Sequence, residues 1–468
     1  MSAQRSVSVV LIGAPGAGKS TLAQALLASA GAPPATAPEP WRLAYGSFVR
    51  AGTTVSLLDP PGSPELAGEL HAGLRGASAV VLVVSPVQGV DPRTVALWES
   101  LAHLPRLVVL SQLDRPGADA DEAVALCRRL LGDDVLPLQL PLHDDDGSVG
   151  GVLDLLHLTV SEGGARRAAE PEHVTLVEAL RGELVEAVLT GSEDDELFEG
   201  YLADVEPSGQ VLAAELAAAL ARGDLQPVLV AVPRRGVGLD ELAELLAGAL
   251  PPAADQPLSP DPDALVAEVL RPGLLRVWSG ELRPGMSVQI GPRRTTYDGP
   301  AACAGELVAA DVGGSPGDAV GLSRVELEAW RVPPAAFPVG VAADDALAAR
   351  VLGDPVARLE TDPRTGQLLL WTYGPEHAEA LLAGLPSAPV RVPPGARPVR
   401  LRVQLPAWAV RPVRTDLLAR GGQVLQERAD GDGVVLDVQL PPAEAVGYAL
   451  PLARVSGHTA VLQHDDMT

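Results

Sequence analysis

The apolar positions of the first 110 residues gather into short, nearly unbroken runs. Residues 7–12, 55–58, 79–84 and 106–110 are rich in Val and Leu, with little polar alternation that would leave one face wet. Such runs read as strands buried on both faces, and residues 21–29 read as a helix. Strands alternating with helices predict a parallel sheet covered on both sides. The pattern then changes. Residues 165–223 carry Ala/Leu/Glu periodicity and read as mostly helical. Between 264 and 331, short apolar stretches are punctuated by Pro272-Gly273, Pro284-Gly285 and Pro316-Gly317, which predicts a small β-barrel. Segments 338–385 and 397–466 each mix strands with one or two helices. Pro251-Pro252, residues 256–263 and residues 388–396 read as linkers. The expected division is 1–255, with an insert at about 138–225, then 256–333, 334–387 and 396–468.

Composition narrows the class. Aromatic residues make up 3% of 468, so the cores must be built from Leu, Val and Ala. A net charge of −25 argues against wrapping bare nucleic acid over most of the surface. Cys127 and Cys303 give no disulfide framework, which points to a reducing compartment. The chain opens on polar residues rather than a leader, and no apolar run approaches a membrane span. The expectation is a cytoplasmic monomer without membrane contact.

Lys19 is the only lysine among 35 basic residues, asparagine is absent, and isoleucine occurs twice. That lysine lies in Gly13-Ala14-Pro15-Gly16-Ala17-Gly18-Lys19-Ser20-Thr21, which fits the phosphate-loop pattern and sits between a predicted strand and a predicted helix. Arginine is a poor substitute there, because its wide fork does not fit where a compact ammonium reaches between phosphates. In such a loop the backbone N–H groups of Gly13, Ala14, Gly16, Ala17, Gly18 and Thr21 surround a phosphate. Lys19 bridges the β- and γ-phosphates, and the Ser20 hydroxyl ligates Mg²⁺.

Further candidates end the next strands. Asp59-Pro60-Pro61-Gly62 is a common turn taken alone. One strand after a phosphate loop, Asp59 can hold Mg²⁺ and the Gly62 N–H can meet a γ-phosphate. Ser111-Gln112-Leu113-Asp114 follows another buried strand. A carboxylate at Asp114 can accept from guanine N1–H and its 2-amino group, an arrangement adenine does not offer; the competing reading is a surface turn.

These pieces, in this order, resemble elongation factor G, a translational GTPase. Ser85-Pro86-Val87-Gln88-Gly89-Val90-Asp91-Pro92 with Trp98, and Leu113-Asp114-Arg115-Pro116-Gly117, are similar to the family's G domain. Pro137-Leu138-Gln139-Leu140-Pro141 with Gly151-Val152-Leu153-Asp154 resembles its insert. Arg276-Val277-Trp278-Ser279-Gly280, Tyr373-Gly374-Pro375-Glu376-His377 and Asp416-Leu417-Leu418-Ala419-Arg420 resemble its second, third and last domains. The resemblance implies an α/β P-loop GTPase domain with an insert, then a β-barrel and two small ferredoxin-like α+β domains. It implies GTP/GDP and Mg²⁺ as ligands and ribosomal RNA near the factor site as a partner.

The departures shape the expected function. Ser63 stands where the resemblance implies a water-positioning histidine, so no catalytic residue is assigned. The stretch between Ser29 and Phe48 is too short for the first switch, and a Pro/Ala-rich segment replaces it. Ser111 and Gln112 replace Asn and Lys, and Gln112 reads as a relaxed position. Pro233, near the last base-contact motif, offers no N–H. About a dozen residues stand where the fourth, translocating domain is implied. Between 388 and 425, seven arginines face one acid, Asp416; Arg400, Arg402, Arg411 and Arg414 are the RNA-contact candidates. The expectation is a guanine-nucleotide-binding, ribosome-associated protein with weak or no GTP hydrolysis and no translocation. The alternatives are an off-ribosome regulator and a P-loop ATPase.

Overall fold

The computed structural model describes residues 5–255, 264–385, 399–441 and 460–464, with 448, 452 and 455–456, apart from 193, 204, 206, 331, 364, 365 and 432. The expected linkers at 256–263 and 388–396 fall outside these residues, as do Arg391 and Arg397 of the arginine cluster. The chain gathers into two compact units. One comprises residues 1–62 and 69–328, the other 63–68 and 329–468.

The first unit begins β1 (Ser6–Ile12), α1 (Lys19–Ser29), β2 (Ala44–Arg50), β3 (Thr53–Asp59), α2 (Ala67–Gly76), β4 (Ala79–Val84), α3 (Pro92–Ser100), β5 (Arg106–Leu110), α4 (Ala120–Leu131) and β6 (Val135–Pro137). An insert follows: β7 (Gln139–His143), β8 (Val149–Asp154), β9 (Thr159–Glu162), β10 (Ala165–Ala168), α5 (Pro171–Thr190), α6 (Asp195–Leu202) and α7 (Gly209–Arg222). The chain then returns through β11 (Gln226–Val230) and α8 (Leu239–Gly248). The main sheet has the order β2-β3-β1-β4-β5-β11-β6. All neighbours in it are parallel except β2, which pairs antiparallel with β3.

Strand residues alternate between faces, and here both faces are buried. Val7, Val9, Leu11, Val81, Val109 and Leu229 pack with Leu26 of α1, Leu246 of α8 and Leu184 and Leu216 of the insert. On the opposite face, Gly73 of α2 approaches Val10 so closely that a Cβ would lie 3.1 Å from its methyl. The insert is less helical than its composition suggests. Its first half is an antiparallel sheet of order β10-β9-β8-β7, and β10, Ala165-Arg166-Arg167-Ala168, is a fully exposed edge strand inside the stretch expected to be helical.

The β-rich part of this unit runs β12 (Val266–Arg271), β13 (Leu274–Ser279), β14 (Glu281–Leu282), β15 (Met286–Ile290), β16 (Arg293–Tyr297), β17 (Ala302–Cys303), β18 (Leu307–Val308) and β19 (Ala319–Gly321). Six strands form an antiparallel sheet, β16-β15-β19-β12-β13-β18, around Val269, Val277, Val288, Ile290 and Tyr297. Arg276 fastens it to β1 and α2. Fully buried, its guanidinium donates to Ser8 Oγ and to the carbonyls of Gly76, Gly305 and Ala253. Burial pushes its pKa down to about 10. The likeness carried by Arg276–Gly280 is thus a docking contact.

The second unit holds β20 (Phe337–Val341), α9 (Asp345–Leu352), β21 (Arg358–Thr361), β22 (Leu368–Thr372) and α10 (Pro375–Leu382), with sheet order β20-β22-β21. It continues with β23 (Val399–Pro406), α11 (Val410–Ala419), β24 (Gln423–Asp430), β25 (Gly433–Leu440) and β26 (Val461–His464), with order β24-β25-β23-β26. In each, a helix between antiparallel strands gives the α+β character expected.

Candidate nucleotide site

The phosphate loop joins β1 to α1. Gly13 has φ 135°, and a Cβ there would lie 2.3 Å from the Val83 carbonyl oxygen, so only glycine fits. Gly18 is the N-cap of α1 and no side chain caps it. The first N–H groups of the helix therefore remain available to an anion. Lys19 is 7% exposed, and its ammonium donates to Gly13 O at 2.8 Å and Ala14 O at 3.1 Å. Burial lowers its pKa, and Asp59 opposes that shift.

Parallel register brings the other loops to the same strand ends. Val10 pairs with Leu58, Val84 with Leu110, and Leu110 with Val230. Ligands in open α/β sheets bind at the carboxyl ends of the strands, and a cavity of about 700 Å³ lies there. Gly16, Gly18, Lys19, Ser20, Thr21, Asp59, Gly62, Gln112 and Asp114 all line it. Gly13, Ala14 and Ala17 belong to the same loop without lining the cavity. Gly62 stands so near Lys19 that a Cβ would lie 2.8 Å from the ammonium nitrogen.

Asp59 is buried and hydrogen-bonded to Ser20. Burial raises its pKa, while Ser20 and Lys19 pull it down. Its Oδ1 is buried with no hydrogen-bond partner among the described residues. An orphaned carboxylate oxygen beside a serine hydroxyl fits a divalent cation. Ser20 and Asp59 would hold Mg²⁺, which would neutralise phosphate charge.

Gln112 is not relaxed. Its Nε2 donates to Gly16 O at 2.8 Å and its Oε1 accepts from Ser85 Oγ at 2.9 Å. Its backbone is left-handed, φ 57°. Beside it, the buried Ser111 hydroxyl donates to Ala17 O at 2.5 Å. The substituted pair thus still ties the loop after β5 to the phosphate loop.

Two features depart from the expected machinery. The Pro/Ala-rich segment between Ser29 and Phe48 is fastened on several sides. Gln24 pairs with both backbone groups of Ala35, Thr36 bridges Tyr45, Arg42 and the Leu43 N–H meet Glu69, and Arg271 donates to Leu43 O at 2.8 Å. Ser63, within the second unit, donates to Glu376 Oε2 at 2.5 Å, and Glu65 accepts from the Glu376 N–H at 2.6 Å. Helix α10 has no side-chain cap of its own at Gly374, so Glu65 caps it.

Glu39, Arg42, Arg115 and Arg234 also line the cavity and were missed. The usable signal for Arg234 was its place just after Pro233. In the last domain, Arg402 pairs with Asp437, Arg414 with Glu427 and Arg420 with Asp416. Arg400 and Arg411 are exposed.

Comparison with known proteins agrees with this geometry. Residues 41–252 match the Elongation factor Tu GTP binding domain. An Elongation factor G-like protein of Mycobacterium tuberculosis is 30% identical, over 80% of this chain and 64% of its own length. Elongation factor G 2 of Geobacter metallireducens is 27% identical, over 87% and 68%. The chain therefore spans less than two thirds of the mycobacterial relative. A crystal structure from Thermus thermophilus superposes with TM-score 0.73 at 23% identity, covering 99% of this chain and 96% of that one, a likeness of fold. With a phosphate loop at residues 13–21 and a match to a GTP-binding domain over residues 41–252, the chain is similar to the translational GTPases related to elongation factor G.

Proposed function

We propose that this protein is a degenerate elongation factor G-like factor. It binds GTP or GDP with Mg²⁺, associates with the ribosome, hydrolyses GTP slowly or not at all, and does not translocate tRNA. The observation that carries this is an asymmetry. The phosphate and cation groups, Lys19, Ser20 and Asp59, converge on one cavity, whereas Ser63, at the water-orienting position, is occupied by Glu376. Slow phosphoryl transfer follows when the nucleophile is not oriented. The short stretch 386–398 supports the absence of a translocating domain. Calorimetry with GDP, a non-hydrolysable GTP analogue and ADP, with and without ribosomes, tests the reading. Tight guanine-nucleotide binding with turnover below about 1 s⁻¹ supports it. Equal affinity for ADP would instead favour a P-loop ATPase.

The off-ribosome regulator remains the second reading, favoured by one observation. Arg402, Arg414 and Arg420 are paired with acids of their own domain, which lowers the charge available to RNA.

A further inference from the structure

Asp114, Pro233 and Arg234 line one end of the cavity, where a purine base would be read. A 6-oxo purine presents a carbonyl that needs a hydrogen-bond donor, and an unpaired polar group is costly once desolvated. Pro233 has no N–H, and one of the two N–H groups of the Gln112 amide is already given to Gly16. Two exposed guanidinium groups remain on the wall, Arg115 and Arg234. Their neighbour Arg235 is held by Asp144 at 2.8 Å.

Register singles out Arg234. Leu110 of β5 and Val230 of β11 are paired in the parallel sheet. Asp114 stands four residues beyond the first and Arg234 four beyond the second, so the turns bearing them are neighbours. The Arg234 turn is fixed. It is a 3-10 turn, Pro233–Arg235, closed by a Val232–Val237 bridge. It ends near Gly238, φ 73°, where a Cβ would lie 1.9 Å from Val230 O.

Resting on the guanine-nucleotide reading above, we infer that the Arg234 guanidinium donates to the 6-oxo group of the bound purine. It thereby selects 6-oxo over 6-amino purines, replacing the backbone donor that Pro233 lacks. Asp114 reads the other edge, N1–H and the 2-amino group. A 6-amino purine would set a donor against a donor.

Calorimetry of the full chain with GDP, IDP and ADP separates the two contacts. The unsubstituted protein should bind GDP most tightly, then IDP, then ADP. Arg234→Ala should weaken GDP and IDP alike by about tenfold or more, leaving ADP unchanged or tighter. Asp114→Ala should weaken both GDP and IDP, GDP the more, and leave the two bound alike. Arg234 is exposed, and circular dichroism would check that the variants stay folded. Equal effects of Arg234→Ala on all three nucleotides, no effect, or the same loss from Arg115→Ala instead would overturn the inference. If the unsubstituted chain binds no GDP, the wider guanine-nucleotide reading fails and takes this inference with it.

Discussion

Lys19 and Asp59 are opposite charges buried side by side at the site, and they serve each other incompletely. Asp59 keeps an orphaned oxygen, and Lys19 spends its protons on loop carbonyls. Lys19→Ala should therefore abolish nucleotide binding while the fold survives. Each charged contact to phosphate is worth about 1.5–3 kcal/mol, and unchanged GDP affinity in the variant would refute the phosphate-loop assignment. The Asp59 carboxyl is shifted upward by burial. A carboxyl raised in the folded state binds its proton more tightly folded than unfolded. Its contribution to stability is present at acid pH and is lost as pH rises through the folded-state value. Lys19, lowered by burial, contributes stability that is present above the ordinary lysine value and lost as pH falls through its lowered one. A cation at Asp59 needs the carboxylate. The extra rise in Tm that Mg²⁺ gives the GDP complex should thus shrink as pH falls from about 8 towards 5, and more so than the rise seen with GDP in EDTA. A Mg²⁺ effect independent of pH would remove Asp59 from the metal site. The sequence exposed these residues because their motifs are local. It misread Gln112 because that side chain's partners, Ser85 and Gly16, sit on loops distant in the chain.

Elements tell a similar story with a different boundary. The central strands were legible because burial on both faces leaves an unbroken apolar run. The exposed edge strand β10 has no such signature, and Ala/Arg composition reads as helix. The Pro/Ala-rich segment between Ser29 and Phe48 was legible only as a stretch too short for the expected first switch. Its attachments to Gln24, Glu69 and Arg271 arise from the fold. A segment so held has little freedom to respond to a γ-phosphate. Amide exchange across residues 31–43 should be the same with GDP and with a GTP analogue. Protection gained only with the analogue would show that it still switches. Residues 63–65 are committed as well, since Glu65 supplies the cap that α10 lacks and Ser63 bonds Glu376. Ser63→His should not restore hydrolysis, because Thr36, the one threonine of residues 31–43, is held in a backbone bridge to Tyr45. Turnover reaching about 1 s⁻¹ in that variant would mean that orientation of water alone was missing.

For the whole molecule the question is where a chain of net charge −25 could meet RNA. Among the described residues the arginines of the last domain are the natural place, but they are not equivalent. Arg402 and Arg414 already face Asp437 and Glu427. Such exposed pairs are worth about 0–1 kcal/mol, so a phosphate could compete for them, though only by displacing a carboxylate. Arg400 and Arg411 have no acid to displace among the described residues. Each phosphate neutralised releases condensed counterions, so binding must weaken as salt rises, and its slope counts the contacts. Co-sedimentation with ribosomes should therefore be strongest at low salt. Neutralising Arg400 and Arg411 together should remove most of it and flatten the slope by about two contacts' worth. Neutralising Arg402 and Arg414 should cost less, because these two already spend their charge on Asp437 and Glu427. The reverse order would mean that the ion pairs open on binding and that all four arginines form one surface. If nothing sediments at low salt, with GDP or with the GTP analogue, these arginines do not serve RNA and the off-ribosome reading prevails.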